Sequence, residues 1–209
     1  MKKPPEISIS RLSLYLRFLD DYLRQKGLNA TISSEELAQQ LDLNPHQIRK
    51  DLSYFGKFGS PGVGYRAQEL KSRVSEILGL RRKWNLCICG SGNLGAALAA
   101  YEGFKKMNLH IVALFDNDPL KIGKKFQGID VYSTKGMASV LAWLKVDIAI
   151  IAVPQEAAQA LADKLADAGV KAILNFAPVS LSSSKEIKIR NMDVAAELLN
   201  LTYFLSTAR

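Results

Sequence analysis

The stretch Leu86-Cys87-Ile88-Cys89-Gly90-Ser91-Gly92-Asn93-Leu94-Gly95 constrains the fold more than any other part of the chain. Its apolar half predicts a buried strand, and the glycines predict a tight turn that opens a helix. A dinucleotide requires that succession of parts. Gly90 makes the turn, Gly92 puts no Cβ between backbone and pyrophosphate, and Gly95 lets helix and strand pack closely. Phosphates then meet unpaired N–H groups at the positive end of a helix dipole. A second apolar run, Leu109 to Phe115, ends in Asp116, 21 residues past Gly95. A ribose-binding acid is expected at about 20.

Strands and helices alternate from there. Ile129 to Tyr132, Val146 to Val153, Val170 to Phe176 and Glu186 to Met192 read as strands, with helices at Met137 to Leu144 and Glu156 to Ala168. Strands buried on both faces and joined by crossover helices mean a parallel sheet. Right-handed crossovers predict a doubly wound Rossmann-type sheet of order 3-2-1-4-5-6, with its crevice at the carboxyl ends of the first and fourth strands. The candidate cofactor residues are Gly90, Ser91, Gly92, Asn93, Leu94 and Gly95 for the phosphates and Asp116 for the ribose. Tyr101, Val153, Pro154 and Asn175 are the further cofactor candidates.

The first 84 residues follow a different pattern. Ile9, Leu12, Leu16, Leu19 and Leu23 form one stripe of a helix over 7–26. Ser33 and Glu36 make a capping box for a short helix ending near Leu41. Asn44 and Pro45 then start a helix over 46–55. Ile48, Leu52 and Phe55 fall on its inner side, leaving His46, Lys50 and Ser53 opposite, flanked by Gln47, Arg49 and Tyr54. Two short helices with a tight turn, the second polar and basic outside, predict a helix-turn-helix that enters a major groove. Gly56 to Arg66, with its glycines and Pro61, suits a small hairpin or wing whose Lys57 and Arg66 reach phosphates. A last helix, Gln68 to Leu78, closes at Gly79.

Charge agrees with that division. The net charge is +8; residues 1–84 hold 15 Lys or Arg against 9 Asp or Glu, and 85–209 hold 13 against 11, so +6 and +2. A basic excess outside the nucleotide domain points to a polyanionic partner such as double-stranded DNA. No apolar run approaches 18 residues, and the charged start has no signal-peptide core, which predicts a cytoplasmic protein without a membrane span. Cys87 and Cys89, with His46 and His110 as the only histidines, cannot build a four-ligand zinc site within one chain. The cysteines read as small buried hydrophobes.

Catalytic residues are missing from the pattern. Tyr101 and Lys105 have the Y-x-x-x-K spacing of short-chain dehydrogenases, but Gly103 interrupts them and the pair follows the fingerprint too closely. His46 sits on the helix read as DNA-binding, and His110 at the strand end away from the crevice. The nucleotide thus reads as a signal, not a reagent. A small NAD-dependent dehydrogenase and a coenzyme A-binding module remain the alternatives.

Arg49-Lys50-Asp51-Leu52-Ser53-Tyr54-Phe55-Gly56, Gly62-Val63-Gly64-Tyr65, the glycine fingerprint, Phe115-Asp116-Asn117-Asp118-Pro119 and Ile173-Leu174-Asn175-Phe176-Ala177-Pro178-Val179 together resemble the Rex family of redox-sensing transcriptional repressors. The resemblance covers almost the whole chain. It implies a winged helix-turn-helix domain (1–84), a Rossmann domain that binds NAD(H) as effector (85–192), and a domain-swapped dimerisation helix (193–209). It further implies a homodimer that holds a palindromic operator with NAD⁺ and releases it with NADH. By position, Arg49 and Lys50 would face DNA, Gly90, Gly92 and Gly95 the pyrophosphate, and Asp116 the adenosine ribose. NADH and NAD⁺ differ chiefly at the nicotinamide, so a switch needs groups beyond Asp116. The candidates are Arg17, Tyr101 and Asp193, with an Asp193–Arg17 ion pair exchanged for an Asp193–Tyr101 hydrogen bond.

Overall fold

The structure, a computed structural model, describes residues 3–59 and 63–207. They form two compact units divided between Arg82 and Lys83. Ser60, Pro61 and Gly62, the tip of the expected wing, lie outside the described residues.

The first unit contains α1 (Glu6–Lys26), β1 (Thr31–Ile32), α2 (Ser34–Leu41), α3 (Pro45–Ser53), β2 (Tyr65–Arg66) and α4 (Ala67–Ile77). The starts of α2 and α3 are set by side chains that satisfy orphan N–H groups. Ser33 accepts from the Glu36 amide at 3.0 Å, and Asn44 Oδ1 accepts from the His46 amide at 2.8 Å. Asp42 in the left-handed region ends α2 and lets α3 turn away after only three residues. Leu12, Leu16, Leu19, Leu37, Ile48, Leu52, Leu70 and Val74 meet in one core. Leu12, Leu16, Leu19 and Leu23 of the expected α1 stripe are buried, but Ile9 is exposed, and Ser8 and Tyr15 join the buried side. Tyr65–Arg66 pairs antiparallel with Thr31–Ile32, ahead of α2.

The second unit is a sheet of seven strands among the described residues, in the order β5-β6-β4-β3-β7-β8-β9. These are β3 (Trp84–Cys89), β4 (Leu109–Asp116), β5 (Lys125–Phe126), β6 (Ile129–Ser133), β7 (Ile148–Ile151), β8 (Ala172–Asn175) and β9 (Lys188–Asn191). All pairs are parallel except the β5–β6 edge. The predicted order 3-2-1-4-5-6 is present, with β5 added outside it as a two-residue antiparallel edge. Alternation sends Cys87, Cys89, Ala113, Phe115, Ala149 and Ile151 to one face, under α7 (Met137–Trp143) and α8 (Gln155–Asp167). Leu86, Ile88, Leu114, Val131 and Ile150 point to the other, where Leu98 and Ala99 of α5 (Asn93–Ala100) pack. A short α6 (Gly103–Lys106) leads into β4, and α9 (Val194–Thr207) ends the chain. No residue of α9 is buried; Leu198, Leu199, Leu201, Tyr203, Phe204 and Leu205 are each more than half exposed.

Candidate dinucleotide crevice and nucleic-acid face

Gly90 follows β3 with φ +98°, a conformation that strains any L side chain, and a Cβ there would lie 2.3 Å from the Ala152 carbonyl oxygen. A Cβ on Gly95 would lie 1.8 Å from the Gly90 carbonyl oxygen, whereas one on Gly92 meets nothing within 4 Å. The first and third glycines therefore build the turn and press α5 onto the sheet. The second keeps the space above the helix start clear. That cradle fits a pyrophosphate, with the amides of Asn93 and Leu94 in the first turn of α5. It opens into a crevice of about 450 Å³ whose lining includes Gly90, Gly92, Asp116, Lys121, Val153 and Pro154.

Asp116 closes β4 against the turn. Its Oδ2 accepts from the Ser91 amide at 2.9 Å, the Ser91 hydroxyl and Lys121 Nζ at 3.3 Å, and its Oδ1 from the Asp118 amide at 2.9 Å. Burial pushes this carboxyl up, but the Ser91 hydroxyl, the two amides and Lys121 outweigh it and hold it well below the usual range. The acid is thus ionised and fixed, with Oδ1 the less committed oxygen for a ribose hydroxyl. Lys121, five residues past Asp116, and Lys164 also line the crevice; sequence reasoning gave no sign of Lys164.

Two expected cofactor residues take other places. Asn175 is fully buried, and its amide nitrogen donates to the carbonyls of Ala177 and Val179 and to Asn191 Oδ1, while its Oδ1 accepts from the Ala177 amide. It shapes the chain after β8, and its amide nitrogen has no N–H left for a ligand. Tyr101 is half exposed and lies with Leu109, Ile111 and Ile129 at the amino end of the sheet, edge-on to Phe104. The reason is geometric: α5 runs antiparallel to β3, so its end lies about 12 Å back from the glycine turn. Within one protomer, Tyr101 does not line the crevice. The Tyr101–Lys105 spacing is broken across two helices at Glu102, away from the crevice. Cys87 and burial push the Cys89 thiol far up, so both cysteines serve as buried apolar groups.

In the first unit, α3 presents His46, Lys50 and Ser53 outward, and Tyr54 half-buried at its end. Three expected contact residues are partly committed. Gln47 Nε2 donates to Asp51 at 2.8 Å, Arg49 Nη1 donates to Ser34 Oγ at 2.6 Å and Glu35 Oε1 at 2.9 Å, and Arg66 pairs with Glu69 at 3.3 Å. Lys57 is exposed in the loop after α3, where Arg73 donates to its carbonyl and stacks over Phe58 at 4.1 Å. Asp51 was missed altogether. It is fully buried on α3 and accepts from Ser8, Arg11, Tyr15 and Gln47, so it ties the outer helix to α1. Arg17 is exposed on α1, and Asp193 Oδ1 caps α9 by accepting from the Ala196 amide at 3.0 Å.

Comparison with known proteins agrees with both halves. Residues 81–179 match the CoA binding domain family, and residues 3–53 match a family described as "Putative DNA-binding protein N-terminus". The redox-sensing transcriptional repressor Rex of Desulfitobacterium hafniense is 47% identical over 99% of this chain and 98% of its own. That of Pelotomaculum thermopropionicum is 46% identical over 97% and 94%. Among solved structures, RSP with β-NAD⁺ and operator DNA has a TM-score of 0.93 at 35% identity, covering all of this chain and 95% of its own. RSP with β-NADH has 0.89 at 33%, covering all of this chain and 97% of its own. Relatives named as repressors also set the dehydrogenase alternative aside. Identity at that level over nearly the full length means that this chain belongs to the Rex family of redox-sensing transcriptional repressors.

Proposed function

We propose that this protein is a homodimeric repressor that holds a palindromic operator in the presence of NAD⁺ and releases it when NADH binds. The observation that carries the reading is the pairing, in one chain, of a glycine cradle beside a fixed Asp116 with a capped helix-turn-helix whose outer helix shows Lys50, Ser53 and His46. NAD(H) acts as effector: Gly90, Ser91, Gly92, Asn93, Leu94 and Gly95 would hold its pyrophosphate, Asp116 its ribose, and Val153 and Pro154 would line the way to the nicotinamide. When bound, the cofactor supplies a ring that is cationic when oxidised and neutral when reduced.

The exposed apolar α9 and the half-buried Ile148, Leu174 and Phe176 on a thinly covered sheet face support a second copy as partner, with residues 193–209 exchanged between protomers. In such a dimer, Asp193 of one protomer would meet Tyr101 of the other, so that Arg17, Tyr101 and Asp193 form the switch across copies. A regulator of DNA would act in the cytoplasm.

The test is operator selection from random duplexes, followed by anisotropy titrations with NADH and with NAD⁺. Release by NADH alone supports the reading. Equal retention with both, or displacement of NADH by coenzyme A at equal concentration, overturns it.

A further inference from the structure

Arg49 is a base reader only if something stops it from becoming one more phosphate clamp. A guanidinium carries five donors, and any of its edges can satisfy a phosphate. The Nη1 group has two N–H bonds, and the structure spends them on Ser34 Oγ at 2.6 Å and Glu35 Oε1 at 2.9 Å. Ser34 is only 7% exposed and its hydroxyl donates in turn to Glu35, so the three side chains form a closed triangle at the start of α2. Three N–H bonds remain on Arg49, two of them parallel along the Nε–Nη2 edge with the spacing that fits guanine O6 and N7.

Glu35 is also misplaced for mere adhesion to DNA. It lines an open groove of about 750 Å³ together with Ser33, Arg49, Lys57 and Tyr65. A carboxylate there opposes the phosphates that Lys57 is placed to attract. An exposed ion pair contributes little stability by itself; as a first-turn acid Glu35 also complements the α2 dipole, which does not require its contact with Arg49.

We infer that Glu35, seated by Ser34, is a positioning residue that fixes the guanidinium of Arg49 with one edge presented, and that it sets sequence discrimination at the cost of raw affinity. The inference rests on the reading of α3 as the DNA-facing helix. Its ligand is the major-groove edge of a guanine in double-stranded DNA. Without Glu35, Arg49 is free to turn toward the backbone.

The experiment uses the full-length protein, a duplex selected from random DNA by the wild type, and an unselected random duplex of equal length. Glu35→Gln should bind the random duplex more tightly, with a log K against log salt slope steeper by about 0.9. The ratio of selected to random affinity should fall at least about fivefold. Melting temperature controls for folding, and Ser34→Ala should reproduce the loss of discrimination in part. In an Arg49→Ala background, Glu35→Gln should leave the ratio unchanged. A ratio that survives Glu35→Gln, or one that falls equally without Arg49, means that Glu35 is only a repelling charge and overturns the inference. If Arg49→Ala alone leaves binding to the selected duplex intact, the failure lies in the reading of Arg49 as a DNA contact, and the inference falls with it.

Discussion

Arg11 on α1 donates from Nε and Nη2 to the two carboxylate oxygens of Asp51 on α3, at 2.5 and 2.8 Å, and the acid has no exposed surface. Ser8 and Tyr15 complete the same carboxylate from one further turn on each side of Arg11. A buried charge is tolerable only with its donors in place, and removing one partner strands the rest. Asp51→Asn should therefore destabilise the first unit by about 3 kcal/mol. Urea unfolding followed by circular dichroism would measure it.

The same acid makes stability depend on pH. Burial raises the Asp51 carboxyl, but Arg11, Tyr15, Ser8 and Gln47 outweigh that and hold it at about 2. A group depressed in the folded state adds stability above its unfolded value near 3.9 and loses it as pH falls through the folded one. About 2.5 kcal/mol should be lost progressively between about pH 5 and 1, with Asp116 adding in the same direction. Asp51→Asn should flatten that part of the curve in denaturation series at graded pH.

The three glycines should fail in different ways. Gly95→Ala forces a Cβ against the Gly90 carbonyl and should cost at least about 1–3 kcal/mol of stability. Gly92→Ala meets open space, so it should fold normally and lose NADH affinity by at least about tenfold, because the methyl group fills the pyrophosphate approach. Thermal melts beside NADH titrations would separate the two. Equal behaviour of both variants would show that Gly92 is not a cradle.

Asp116 should set preference for NADH over NADPH, since a fixed carboxylate accepts from a 2′-hydroxyl and repels a 2′-phosphate. Asp116→Asn should narrow that preference by about tenfold. Equal wild-type affinities would remove Asp116 from the role, and the ammonium of Lys121 at 3.3 Å would be the physical reason.

What the chain displays in one dimension depends on how local the cause is. Caps at Ser33 and Asn44, the turn at Gly90 and the strand order all rest on a few adjacent residues or on alternation, and each is visible before folding. Asp51 was invisible because periodicity assigns an acid to solvent, and three of its four donors, Ser8, Arg11 and Tyr15, lie 36 to 43 residues away. Thr31–Ile32 is too short to show alternation, so its pairing with Tyr65–Arg66 could not be read either. Asn175 misled because an amide at a strand end serves a ligand or a turn equally well. Only its bonds to residues 177, 179 and 191 decide for the turn. Tyr101 misled because closeness to the fingerprint in sequence becomes distance once α5 runs back along the sheet.

Asp193 carries the last prediction. Its Oδ1 caps α9, a local duty worth about 1 kcal/mol, yet α9 is apolar and exposed along its length and so is suited to another copy. The two redox forms of the cofactor can shift DNA affinity only if some group binds differently in the two dimer arrangements. In the proposed switch, Asp193 would do so by pairing with Arg17 in the DNA-holding arrangement and with Tyr101 in the released one. A preference of about 1.4 to 3 kcal/mol suffices for a tenfold to hundredfold change in operator affinity. Asp193→Ala should leave NADH binding nearly intact while erasing most of the difference between NADH and NAD⁺ in operator release. Asp193→Asn keeps the cap and removes the charge, so it should also lose the difference; if it discriminates the two nucleotides as fully as wild type, Asp193 is a helix cap and nothing more.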